Sequence, residues 1–213
     1  MSLDPSTPPE FGEIHFELAT APVSQQASGD AKAALREQVR AITRPLQYLI
    51  DSEVQLEIEW FVHERFRWET DASPDVDNII KPLLDGLCGP EGLLVDDCQV
   101  QRVGCSWIDW NRDDQKLAIH LKFPPDSYLM KDGLVFARVQ QAMCFPVPRD
   151  VQKKALGLWL DALEHSLAGR KKLTDLTGSY YPARYVLPTG FIHVSRLRGF
   201  KVVPVEDLRR QVE

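Results

Sequence analysis

Two short stretches between Pro74 and Val100 set four aspartates and a lysine directly against runs that only a protein core can take. One stretch is Pro74-Asp75-Val76-Asp77-Asn78-Ile79-Ile80-Lys81; the other is Leu94-Val95-Asp96-Asp97-Cys98-Gln99-Val100. Carboxylates beside apolar surface resist burial and repel one another unless a cation holds them. A hard divalent ion such as Mg²⁺ suits that task, because it takes carboxylate oxygens and keeps waters for a phosphate substrate. The fold therefore has to bring these two stretches together.

The flanking pattern supplies the elements. Gly12 to Thr20 alternates Ile14, Phe16 and Leu18 with polar neighbours, the signature of a strand with one buried face. Asp30 to Leu49 reads as a helix, with Asp30 as N-cap and Ala34, Leu35, Val39, Ile42 and Leu46 as its apolar stripe. Val54 to Trp68 reads as a long strand, and Glu69 to Pro74 as a loop. Asp75-Val76-Asp77 is expected to be extended, which would point both carboxylates to one side. Asn78 to Leu87 follows as a helix, with Pro82 tolerated in or just past its first turn. After Gly89-Pro90-Glu91-Gly92, Leu93 to Trp110 and Lys116 to Phe123 read as strands. Alternation along the first of these would send one of Asp96 and Asp97 inward and the other outward.

The rest of the chain has a different texture. Pro124-Pro125-Asp126 and Phe145-Pro146-Val147-Pro148 read as connections. Asp150 to Ala168 is a helix closed by Gly169, and Phe191 to Val205 reads as a hairpin turning at Arg198-Gly199. Charge divides along the same line. Residues 1–125 hold 11 Lys and Arg against 22 Asp and Glu, a net of −11, whereas residues 126–213 hold 14 against 9, a net of +5. Such asymmetry points to different tasks for the two parts. The expected organisation is a disordered leader at 1–11, a catalytic domain at 12–125 and a basic C-terminal extension or small domain at 126–213.

Composition narrows the class. With 44% hydrophobic and 26% charged residues the chain is an ordinary globular protein, and no apolar run reaches the roughly 20 residues a membrane span needs. Met1 to Glu10 has neither the basic nor the apolar segment of a secretory signal. Cys88, Cys98, Cys105 and Cys144 show no metal-ligand spacing and read as reduced thiols, so a cytoplasmic location is expected. The five histidines are scattered and read as structural.

The order DVDNIIKPLLDGL, a glycine-containing turn, then LLVDDCQV closely resembles the RusA family of Holliday-junction resolvases, over residues 12–123. The resemblance implies an α/β (α+β) fold, a mixed β-sheet flanked by helices, here with a C-terminal helical and β extension. It also implies a homodimer, a Mg²⁺ requirement (with Mn²⁺ as a possible substitute) and paired nicking of four-way DNA junctions in recombination and repair. By position, Asp75, Asp77 and Asp97 correspond to the metal-binding aspartates and Lys81 to the catalytic lysine, with Asp96 as a further metal-site residue. Asn78, Asp85 and Gln99 fit the same pattern. Other readings remain: a related nuclease acting on other branched DNA or on RNA, or a non-catalytic DNA- or partner-binding protein on the same fold.

Basic residues outside the motif are candidate nucleic-acid contacts: Arg65 and Arg67 upstream of it, then Arg170, Lys171 and Lys172, and finally Arg196 and Arg198. The stretch Arg170 to Tyr185 also carries Tyr180, Tyr181, Arg184 and Tyr185. It is either a phosphate-contacting and base-stacking surface or a solvated helix end followed by a packed loop. The arginines of the expected hairpin serve the same purpose or dock against the acidic N-terminal half.

Overall fold

The computed structural model describes residues 3–70, 75–186 and 190–212. The chain divides into two compact units, residues 1–131 and 132–213. In the first, β1 (Glu13–Leu18) buries Ile14, Phe16 and Leu18 and turns the intervening residues outward, as a period of two requires. Helix α1 (Gly29–Thr43) starts earlier than expected, because the Ser28 hydroxyl accepts the Ala31 N–H at 3.2 Å and takes the N-cap from Asp30. It also ends at Thr43 rather than running to Leu49. Pro45 has no N–H to extend the helix, and Tyr48–Ile50 instead forms β2, buried at all three positions.

β3 (Val54–Val62) is shorter than the strand expected to reach Trp68. His63 Nδ1 accepts the Arg65 N–H at 3.1 Å and starts the short helix α2 (Glu64–Trp68). The loop expected at Glu69–Pro74 lies mostly outside the described residues. Helix α3 (Val76–Leu87) has Pro82 in its interior, not in its first turn. The Asn78 carbonyl that Pro82 cannot serve accepts the backbone N–H of Gln25 at 2.7 Å, so the break in the ladder anchors the loop before α1. Gly86 lets α3 lie close on α1, since a Cβ there would meet Val39 Cβ at 3.2 Å.

Leu93 to Trp110 is not one strand. Leu93, Leu94 and Val95 are buried beside β2, Asp97–Gln99 forms a 3₁₀ turn, and only then does β4 (Val100–Asp109) begin. With β5 (Lys116–Lys122), the sheet order is β1-β5-β3-β4; β1 and β3 run antiparallel to β5, and β3 runs parallel to β4. Parallel β3 and β4 require the crossover that α2 and α3 provide. β6 (Tyr128–Met130) pairs antiparallel with β2. One core joins Leu35 and Val39 of α1, Ile79, Leu83 and Leu87 of α3, and the inward faces of β1, β3 and β5. This mixed sheet with helices is the α+β architecture expected.

The second unit has its own four-stranded sheet. β7 (Val135–Arg138) pairs antiparallel with β8 (Met143–Val147), so Phe145-Pro146-Val147 is strand rather than connection. Pro146 is tolerated because the next strand covers only Met143 and Cys144 of β8. α4 (Arg149–Lys154) breaks at Ala155, and α5 (Leu156–Thr177) runs past Gly169 to Gly178, whose left-handed φ of 63° closes it. Gly169 stays helical and gives Val186 room: a Cβ would sit 3.3 Å from Val186 Cγ1. α6 (Tyr180–Ala183) follows. β9 (Ile192–His193) then joins β8, while β10 (Val202–Pro204) runs parallel to β7 and leads into α7 (Val205–Arg209). The expected hairpin over 191–205 is therefore absent: its two arms add to opposite edges of the sheet. Ala137, Val147, Leu156, Leu160 and Leu208 form the core of this unit.

Candidate active site

The site is built from one face of α3 and the turn before β4. On a helix, residues four apart share a face, so Asp77, Lys81 and Asp85 line up along α3. The Lys81 ammonium lies 2.8 Å from Asp85 Oδ1 and 2.8 Å from Asp97 Oδ2. Asp85 and then Asp97 push its pKa above the ordinary lysine value, against an opposing contribution from burial. Lys81 is thus held as a cation.

Asp75 and Asp77 are brought to the start of α3, but not by the extended geometry expected. Asp75 is the N-cap, with extended backbone, and Asp77 already belongs to the first helical turn. The pair straddles the change from extended to helical backbone, so the same-side argument from a two-residue period does not hold. The side chain of Asp75 makes no cap hydrogen bond, and both residues are exposed. Each carboxylate stands at the positive end of the helix dipole, worth roughly 0.3–1 kcal/mol to an anion there.

Asp96 and Asp97 do not alternate as strand residues either. Asp96 caps the 3₁₀ turn, its Oδ1 accepting the Cys98 N–H at 3.1 Å. Buried Gln99 fixes the turn from below. Its Oε1 accepts the N–H groups of Val95 and Asp96 at 2.7 and 3.0 Å, and its Nε2 donates to the carbonyls of Ile50 and Ser52 at 2.8 and 2.9 Å. This one amide uses both ends fully, which makes it the positioning residue of the Asp-Asp-Cys-Gln turn. The sequence carried a signal for it: Asp followed three residues later by Gln is a capping box.

Cys88 lies beneath this cluster. Burial pushes its thiol up to about 12; the Asp97, Asp96 and Asp85 carboxylates act in the same direction, and Lys81 opposes them. Among the described residues no group of three or more His, Cys, Asp or Glu side chains is arranged to hold a metal ion. The donor chemistry nevertheless fits a hard divalent cation, being carboxylate oxygen throughout. Asp97 is held on the lysine ammonium, which here neutralises the charge that an ion would.

Of the upstream cations, Arg65 is exposed and stacks over Phe66 at 5.9 Å. Arg67 is more enclosed: its guanidinium lies 5.5 Å from the Trp68 ring, 5.6 Å from Trp107 and 3.2 Å from Asp109 Oδ1. The cage of Trp68 and Trp107 was not legible in advance, because its halves are separated by nearly forty positions (68 and 107). In the second unit Lys171 and Lys172 are exposed on the last turns of α5, and Arg196 and Arg198 are exposed after β9.

A model of the endodeoxyribonuclease RusA family matches residues 13–122. The chain belongs to the RusA family. The match begins and ends with the two paired strands β1 and β5, so it spans the four-stranded sheet, α1 to α3 and every residue of the aspartate and lysine cluster. No curated protein matches the chain. Membership of RusA points to an endodeoxyribonuclease acting on Holliday junctions. Among the described residues no helix is long and apolar enough to cross a membrane.

Proposed function

We propose that the chain is a Mg²⁺-dependent, structure-selective endonuclease that resolves four-way DNA junctions by paired phosphodiester hydrolysis, as a homodimer in the cytoplasm. The observation that carries the reading is the meeting of Lys81 with Asp97 across 2.8 Å, on the helix that opens at Asp75 and Asp77 and within the span that the RusA family matches. Asp75, Asp77 and Asp97 would hold the metal. Asp96 adds negative charge beside them while its Oδ1 caps the turn.

A divalent ion bound there would lower the pKa of a coordinated water and neutralise charge on the phosphate being cleaved. The chain's own residues do the remaining work. Lys81 brings a permanent positive charge to the oxygens that gain charge as the bond breaks, an effect of about 10²–10³ in rate for one preorganised group. Asp85 holds that ammonium when Asp97 is drawn into metal binding. Gln99 fixes the backbone of the Asp96-Asp97 turn, and Arg65 supplies an exposed charge for backbone phosphates. A two-fold dimer would present two such sites to the two strands of a junction.

The test is cleavage of a synthetic four-way junction in Mg²⁺, beside a linear duplex and a fork, for the wild type and Asp97→Asn. Symmetric nicks confined to the junction, lost in the variant while junction binding persists, are expected. Junction binding unchanged by Mg²⁺ with no cleavage of any substrate would sink the enzymatic reading.

A further inference from the structure

The sequence left the basic and aromatic stretch Arg170 to Tyr185 open between a stacking surface and a solvated helix end followed by a packed loop. Its rings are not packed. Tyr180, Tyr181 and Tyr185 are 51%, 71% and 78% exposed, and the buried member of α6 is Ala183. Gly178 reverses the chain after α5, and Ala183 seats the short helix with its rings turned outward.

Cations interleave with these rings. The Arg170 guanidinium lies 5.9 Å from the centre of the Tyr180 ring. Tyr180 meets Tyr181 edge to face at 6.4 Å, and Arg184 lies 5.7 Å from Tyr181 and 4.9 Å from Tyr185. Arg184 also donates to the Tyr185 hydroxyl at 3.1 Å. Lys171 and Lys172 stand exposed beside Arg170 on the same helix. Exposed tyrosines held in fixed orientation by arginines offer flat π faces, and guanidinium planes offer more.

We propose that Tyr180, Tyr181 and Tyr185, with Arg170, Lys171, Lys172 and Arg184, form a binding surface for unpaired single-stranded DNA. Bases stack on the tyrosines and the cations meet the phosphates. Charge favours this occupant: residues 132–213 hold 13 Lys and Arg against 8 Asp and Glu. A duplex buries its base faces in its own stack, so it could use the cations but not the rings. Stacking is worth about 1–3 kcal/mol per base and tolerates any sequence, whereas four phosphate contacts give a salt slope of roughly −3 for a single strand. The inference takes from the proposed endonuclease reading only that the chain meets branched DNA, where unpaired strands occur. The family match ends at residue 122, so this surface lies outside it.

The test uses the full chain carrying Asp97→Asn, without divalent metal, so that cleavage plays no part. Fluorescence anisotropy would measure binding of a labelled mixed-sequence oligonucleotide of about 20 nucleotides, longer than the ~4–16 that comparable sites occupy, and of the corresponding duplex. Tyr181→Ala/Tyr185→Ala is expected to weaken single-strand binding about tenfold or more with little change for the duplex. Tyr181→Phe/Tyr185→Phe, which keeps the rings, is expected to stay near the parent. Lys171→Gln/Lys172→Gln should flatten the salt slope by roughly 1.4. Equal loss on both DNA forms, or no loss in the alanine variant, would overturn the proposal. So would an alanine variant that changes self-association in sedimentation and leaves single-strand affinity intact, which would make the surface a protein interface. A wild-type chain that binds the single strand in this way but leaves a four-way junction uncut in Mg²⁺ would count against the endonuclease reading alone.

Discussion

Lys81 in the first unit and Arg184 in the second are both exposed cations fixed by neighbours, but the neighbours differ. Lys81 is held by two carboxylates, so its charge is neutralised locally until something displaces Asp97. Arg184 is held by two tyrosine rings, which orient the guanidinium and leave its net charge intact. A carboxylate-held cation suits a site that responds to a second cation and then acts on one phosphate. A ring-held cation suits a surface that meets phosphates directly and is sensitive mainly to salt. The division of net charge between the two units follows the same logic.

The sharpest way to break this contrast is to remove Lys81. Lys81→Met should lower the single-turnover cleavage rate of a junction by about 10²–10³, with single-strand binding unchanged. Lys81→Arg should recover little, because a planar fork cannot reproduce an ammonium seated between two carboxylates. A Lys81→Met protein cleaving within a few-fold of wild type would make the Lys81 contacts ordinary surface ion pairs, worth 0–1 kcal/mol to stability and nothing to chemistry.

The next largest effect is expected at Gln99, which sharpens the contrast by asking how rigidly the acidic turn must be held. Gln99→Glu keeps shape but replaces the amide donor facing the carbonyls of Ile50 and Ser52 with an oxygen. Two buried acceptors lose their partner, so a destabilisation of about 2–4 kcal/mol is expected, read as a lower urea midpoint. The burial also raises the pKa of the new carboxyl, and lower pH should restore part of the loss by returning a donor. An unchanged midpoint would mean that the turn is held by other contacts.

The sheet and its site were legible to different degrees for physical reasons. Strands β1 and β3 announce themselves because buried positions recur at every second residue, as in Ile14, Phe16 and Leu18. Breakers marked helix ends unevenly: α3 ends at Leu87 before Gly89-Pro90 as expected, whereas Gly169 stays inside α5. Leu46 and Leu49 extend the periodic stripe of α1 past the point where Pro45 stops it, and a tertiary pairing with β6 takes Leu49 over. The aspartates of the motif were readable by type and spacing, but not their backbone. Asp77 is helical and Asp97 sits in a 3₁₀ turn, because a cap and a buried glutamine outweigh local alternation. In the second unit the tyrosines could be located but not oriented, since whether a ring is packed depends on Ala183 and Gly178 and not on the ring itself.

The smallest predicted effect concerns a third kind of held cation, one that donates to a backbone carbonyl. Lys131 donates to the Thr43 carbonyl at 3.0 Å, and burial lowers its pKa to about 8 from the ordinary 10.5, with Glu91 opposing. Below about pH 8 the amine is charged in both folded and unfolded chains, so the folded chain carries the whole desolvation cost. As pH rises from about 8 to 10.5 the folded form gives up its proton first, and that cost fades. Lys131→Met never carries it, so the variant should be more stable than wild type by about 1–2 kcal/mol at pH 7, a shift discounted for partial solvent exposure. The gap should close as pH approaches 10.5 in urea titrations of both proteins. A gap that stays constant with pH would assign the effect to packing of the methionine, and a less stable variant would show that the bond to Thr43 outweighs the burial of charge.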